Sequence, residues 1–188
     1  GVALRRLRGG SGRAYPEAPR AAVAAAVCRA DGPARRYLLI RRSKAPNAGS
    51  WSLPGGALEL GEAVLVGAAR EIEEECGLTA ETLRWHPSPI TASDAIIYDA
   101  ATKDDSGSGD SDGPEFHYLI AQCFAWHSPG PLEWATAGDD AADVAWATVA
   151  ELAGRGRSEG LTFSKNVIDV VRLAEQLIDA GVIAPAPA

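Results

Sequence analysis

Three glutamates spaced i, i+3 and i+4 close a helical pattern in the segment GALELGEAVLVGAAREIEEECGL, residues 56–78. That spacing puts Glu71, Glu74 and Glu75 on one helix face, a turn apart. The other face is apolar: Leu65, Ala68, Ala69, Ile72 and Cys76 recur at helical spacing and should meet a core. Gly77 reads as the residue that ends the helix, so Glu73, Glu74 and Glu75 fall in its last turn. Negative charge is unfavourable there by ~0.3–1 kcal/mol per group, because the carbonyl end of a helix is itself negative. The pairs Glu71/Glu74 and Glu71/Glu75 also repel each other. Most acidic clusters are solvated helix faces, but helix stability alone does not favour this one. A bound cation would reverse the sign of every one of these terms. Carboxylate oxygens suit hard divalent ions, and Mg²⁺ held this way leaves room for substrate phosphates.

The flanking residues fit the same idea. A Gly-rich turn, Leu53-Pro54-Gly55-Gly56, comes just before, and Arg70 stands beside the glutamates. Arg70 could orient them by charge-assisted hydrogen bonds or touch phosphate directly. Gly67 inside the helix costs roughly 1 kcal/mol against Ala and points to close packing.

The remaining composition sets limits. A chain of 188 residues suits one domain with one core. A net charge of −7 implies no broad basic surface and weighs against a nucleic-acid partner. No apolar run is long enough for a membrane span. Cys28, Cys76 and Cys123 are odd in number, widely spaced and set in apolar surroundings, so reduced buried thiols are expected. That pattern suits an intracellular, cytoplasmic protein. Arg5, Arg6 and Arg8 without a nearby acid mark residues 1–14 as a flexible tail, with an organellar leader as the alternative.

Residues 21–28 and 37–42 read as strands joined by a turn at Asp31-Gly32-Pro33, followed by a helix over 62–76. Two longer strands are expected over 90–98 and 116–126. The acidic, low-complexity stretch 100–114 between them reads as a mobile hairpin tip. A calcium loop there lacks the required ligand spacing. A short strand over 144–147 leads to a small helix over 149–153. An amphipathic helix over 164–180 carries Val167, Ile168, Val171, Ala174, Leu177 and Ile178 on its stripe, with Gly181 ending it. The expected organisation is one α/β domain over 15–183, a sandwich around a mixed sheet, with a tail over 184–188.

The acidic segment resembles the Nudix box, G-x5-E-x7-R-E-U-x-E-E-x-G-U with U aliphatic. Gly56, Glu62, Arg70, Glu71, Ile72, Glu74, Glu75, Gly77 and Leu78 fill every fixed position. The lead-in 49–56, the strands before it and the acidic segment 139–146 are similar to the family as well, so the likeness covers roughly residues 15–178. The resemblance implies an α/β/α sandwich and hydrolysis of a nucleoside diphosphate linked to another moiety, with Mg²⁺ or Mn²⁺. It implies Glu71, Glu74 and Glu75 as metal ligands, completed by the carbonyl of Gly55 or Gly56. Glu71 or a loop acid would be the general base, and Glu62 and Arg70 would support the site.

Substrate contacts should come from outside the box. Trp51, Phe116, His117, Tyr118 and Trp126 are candidates to stack on a base, though sheet packing is the commoner role for each. Arg41 joins the substrate-binding candidates. Asp139 and Asp140, with Asp143 and Glu133 behind them, are candidates for a further ligand or base. The chain looks most like members grouped with ADP-ribose pyrophosphatases, although Asp94 stands where that subgroup carries a proline. ADP-ribose or a related nucleotide sugar is the leading expectation, and an oxidised nucleoside triphosphate the rival. An idle fold used as a nucleotide sensor or protein-binding module is the rival of another class, but such proteins usually lose box glutamates. Expected partners are a small nucleotide and, as an open expectation, a second copy in a homodimer.

Overall fold

A computed structural model of the chain describes residues 18–30, 34–44, 47–98, 114–128, 135–138, 141–158, 162–164 and 166–186. Its frame is a seven-stranded mixed sheet: β1 (Arg20–Arg29), β2 (Arg36–Arg42), β3 (Trp51–Ser52), β4 (Leu83–Trp85), β5 (Thr91–Ile97), β6 (Phe116–His127) and β7 (Ala141–Ala147). The main path runs β3-β2-β1-β6-β4, with β5 on β6 and β7 on β2. β1 and β6 pair in parallel from Arg20↔Tyr118 to Cys28↔Trp126. The other pairings are antiparallel.

Both faces of the central strands are covered, as a parallel pair requires. On one face α1 (Val64–Cys76) buries Ala68, Ile72 and Cys76 against Val23, Ala25, Val27 and Cys123. On the other, α3 (Val167–Asp179) lays Val167, Val170, Val171 and Ala174 over Ala26, Cys28, Tyr37 and Phe124, with Leu152 of α2 (Val149–Ser158) beside them. The layers are therefore α/β/α around a mixed sheet, as expected. Val170 is buried where the sequence reading favoured Ile168, which stays partly exposed.

α1 starts two residues later than expected, because the chain at Glu62 is still turning. Its end is where the pattern put it. Gly77 adopts φ 68° and donates its N–H to the Glu73 carbonyl at 2.9 Å. The next orphan carbonyls are met by the loop 135–138: Gly138 N–H donates to Glu75 at 3.0 Å and Thr136 N–H to Cys76 at 2.9 Å. Between β1 and β2 the segment after β3 slides in. Ala25 N–H donates to Pro54 and Val23 N–H to Gly56, both at 2.9 Å, which fixes the Gly-rich turn along β1.

The far end of α3 is clamped to the sheet. Tyr37, fully buried, donates its hydroxyl to Glu175 at 2.9 Å. Arg35 pairs with Glu175 and, at 2.9 Å, with Asp179. The expected tail is docked at its start: the Trp126 indole N–H donates to the Ala184 carbonyl at 2.8 Å, and Ile183 is buried. A buried indole needs such a partner. Trp126 is thus a core residue, edge-on to Phe124 at 5.1 Å, and not a surface for stacking. The turn at 31–33, the Arg-rich stretch 1–14, most of the acidic stretch 100–114 and Glu133 lie outside the described residues. No helix among the described residues is long and apolar enough to cross a membrane.

Candidate active site

A cleft of about 850 Å³ opens between the glutamate face of α1, the Gly-rich turn, the β5–β6 pair and the start of α3. Gly55, Gly56, Glu71, Glu74 and Glu75 line it together. The helix spacing brings the three carboxylates to this wall, and each has a different environment. Glu74 is half exposed, whereas Glu71 and Glu75 are largely covered.

Glu75 is held by the turn, since Gly55 N–H donates to its Oε2 at 2.8 Å. This turn has no room for side chains. A Cβ on Gly55, whose φ is 154°, would stand 2.2 Å from the Val23 carbonyl oxygen. A Cβ on Gly56 would stand 2.4 Å from Glu71 Oε1.

Arg70 knits the acids into one array. Its Nε and Nη2 grip Glu62 at 2.9 and 3.0 Å, and its Nη1 reaches Glu71 at 2.8 Å and Glu74 at 3.2 Å. Nη2 also donates to the Ala57 carbonyl at 3.1 Å, which ties the array to the chain after the turn. Glu62 receives the strongest share, and its carboxyl is pulled down to about 2 by Arg70 and by the Glu59 N–H. Glu71 goes the other way. Burial holds its carboxyl above the ordinary range against the pull of Arg70, and repulsion from Glu74 and Glu62 adds to that. The two shifts agree once Arg70 is seen to spend its fork on Glu62. Gly67 allows this arrangement, because a Cβ there would stand 2.8 Å from Glu62 Oε2 and 2.5 Å from a Leu58 methyl.

The other sequence candidates scatter. Phe116 lines the cleft, and so does Tyr118. His117 between them is not part of the lining, and its Nε2 lies 3.4 Å from Asp94 Oδ1. Trp51 packs against the core beside Phe163, and Arg41 is its register partner on β2; neither lines the cleft. Asp139 and Asp140 lie outside the described residues, though Gly138 just before them sits on the last turn of α1. Sequence reading passed over Arg42, Lys44, Ser52 and Gln122, which line the cleft. Strand alternation could have exchanged Arg41 for Arg42 only with the faces of β2 already known.

Among the described residues, no three His, Cys, Asp or Glu side chains form a ready-made metal cage. The donors present are oxygens on one wall of an open cleft. That set fits a Mg²⁺ that keeps its waters and takes phosphate oxygens for its remaining positions.

The NUDIX domain model matches residues 18–167. The chain belongs to the Nudix family. A MutT-like protein of Streptomyces ambofaciens is 49% identical over 59 residues, which is 31% of this chain and 34% of that protein. The m7GpppN-mRNA hydrolase NUDT17 of Xenopus laevis is 43% identical over 53 residues, 27% of this chain and 18% of that protein. The chain therefore spans about a third or less of the length of these curated relatives. The NUDIX domain of Shewanella oneidensis NrtR, solved with ADP ribose, superposes with a TM-score of 0.62 at 16% identity, over 86% of this chain and 90% of that one. The Nudix hydrolase RenU of M. smegmatis gives 0.61 at 20% identity, over 95% and 100%. These structures establish the Nudix fold for the chain.

Proposed function

We propose that this Nudix protein is a divalent-metal-dependent pyrophosphohydrolase acting on a nucleoside diphosphate linked to another moiety, with ADP-ribose or a related nucleotide sugar as the first substrate to try. One observation carries the reading: all three box glutamates and both turn glycines share one wall of a cleft large enough for a nucleotide. An idle binding module has no need to keep that set. ADP ribose is the ligand of one fold neighbour, which supports its place at the head of a panel.

Glu71, Glu74 and Glu75 with the Gly55 carbonyl would hold the metal. The Gly56 carbonyl is already engaged by Val23 N–H, so Gly55 is the better donor of the two. When bound, the metal supplies charge neutralisation for the phosphates and an acidified water. Glu71, largely covered and oriented by Arg70 Nη1 at 2.8 Å, or a loop acid outside the described residues, would take the proton from the attacking water. Arg70 fixes that carboxylate, and Gly55 N–H fixes Glu75. Preorganised groups of this kind lower the barrier by positioning and electrostatics.

The test is a panel of nucleoside diphosphate derivatives and oxidised nucleoside triphosphates with Mg²⁺, with products identified by mass. At least one diphosphate conjugate should be cleaved, and Glu75→Gln should reduce kcat by about 10²-fold or more. Cleavage unchanged in Glu75→Gln would remove the assigned site. Binding of nucleotides without any hydrolysis would favour the idle module.

A further inference from the structure

The four residues Phe116, Tyr118, Ile120 and Gln122 alternate along β6 and all line the cleft. The last of them is out of character with its surroundings. Gln122 is only 5% exposed, and its Nε2 donates to Ser93 Oγ at 2.9 Å. Its Oε1 is buried with no hydrogen-bond partner among the described residues. A buried carbonyl oxygen without a donor is unfavourable. A carboxamide here is explained by a ligand that brings the missing donor.

The walls narrow the choice of ligand. Ala24 lies in register beside Gln122, and Phe163, Val167 and Val170 line the same cleft. A flat heteroaromatic ring buries its faces there and still offers N–H groups at its edge.

We infer that Gln122 is a specificity residue that accepts a hydrogen bond from the exocyclic amino group of a purine, so that the cleft selects aminopurine nucleotides. The small Ala24 side chain leaves space for the ring, and the bond to Ser93 engages Nε2, so that Oε1 is the end of the amide left without a partner. Phosphates would then extend toward the glutamate wall of the same cleft. The inference rests on reading that cleft as the nucleotide site.

Calorimetric binding with Mg²⁺ present tests it on two pairs of nucleoside diphosphates. ADP is compared with purine riboside diphosphate, which lacks the 6-amino group, and GDP with IDP, which lacks the 2-amino group. The wild-type chain should bind the amino-bearing member of at least one pair about tenfold tighter or more, because a site built to hydrogen-bond a group rejects the analogue without it. Gln122→Met should bind both members of that pair alike while holding the wild-type affinity for the member without the amino group. Equal binding within both pairs by the wild type overturns the inference with no variant needed. A preference for the member lacking the amino group, a preference retained in Gln122→Met, or no binding at all overturns it as well. Hydrolysis of the matching diphosphate conjugates is scored separately. A wild type that discriminates but cleaves nothing keeps the role of Gln122 and removes the pyrophosphohydrolase; one that cleaves without discriminating does the reverse.

Discussion

Two adjacent glycines carry different constraints, and substitution should separate them. At Gly56 an added Cβ meets the end of the Glu71 side chain, which can swing away. Gly56→Ala should therefore keep its fold, with a melting temperature within about 2 °C of wild type, and lose activity about tenfold or more as Glu71 is displaced. At Gly55 the obstacle is the Val23 backbone, which cannot move freely. Gly55→Ala should cost about 2 kcal/mol or more in urea denaturation. Equal stability losses at the two positions would contradict this account. Glu62 gives a pH signature. Its carboxyl titrates at about 2 when folded, against 4.5 unpaired, so its stabilising contribution is fully present above 4.5 and disappears as pH falls through about 2. Glu62→Gln should melt below wild type near neutral pH, and the gap should close over that acid window. A gap that persists at the acid end would mean that the Arg70 ion pair is not its source. Much of this was legible beforehand, since the box spacing alone named Glu62, Arg70 and the three glutamates. The burial of Glu75 was not, because it depends on where the 53–56 turn lies against β1.

At the level of elements, α1 has its charge at the wrong end: no acid in its first turn and no base in its last. A cation at the glutamate face should therefore stabilise the folded chain, apart from any part in the proposed reaction. Mg²⁺ or Mn²⁺ at saturating concentration should raise the melting temperature by about 2–4 °C, reversibly with chelator. The double variant Glu71→Gln/Glu74→Gln should melt above the metal-free wild type and lose the metal response. A metal response surviving in that variant would place the ion elsewhere. The strands show where pattern reading stops. β6 is buried on both faces over its second half, so apolar alternation does not reveal which side chains face the cleft. His117 and Tyr118 stand in the first half, where both are half-buried, and nothing in the sequence there marks which of them faces the cleft. β3 and β4, two and three residues long, are defined by their partners β2 and β6 and carry no period of their own.

Across the whole molecule, α3 joins two distant regions. Asn166, Val167 and Val170 at its start line the cleft, while Glu175 and Asp179 near its end are clamped by Tyr37 and Arg35. Glu175→Ala leaves the buried Tyr37 hydroxyl only the weak Cys28 thiol as partner and should cost about 1–3 kcal/mol in urea denaturation. Because Glu175 lies five residues, about one and a half turns, past Val170 at the edge of the cleft lining, kcat/KM should stay within about twofold of wild type. A large activity loss would show that the clamp sets the position of the cleft wall. The parallel pairing of β1 with β6 has a different kind of consequence, one for synthesis. The strands that meet are roughly a hundred residues apart in the chain, the kind of long-range contact that slows folding. On the ribosome β1 therefore emerges long before the strand that completes the cleft floor. The Gly-rich turn and the glutamate helix can assemble on one side of β1 while its other edge still waits, exposed, for β6. Nascent chains stalled before residue 116 should be open to protease and to chaperone at that edge, and the chain's vulnerable period is the time it takes to translate the interval between the two strands.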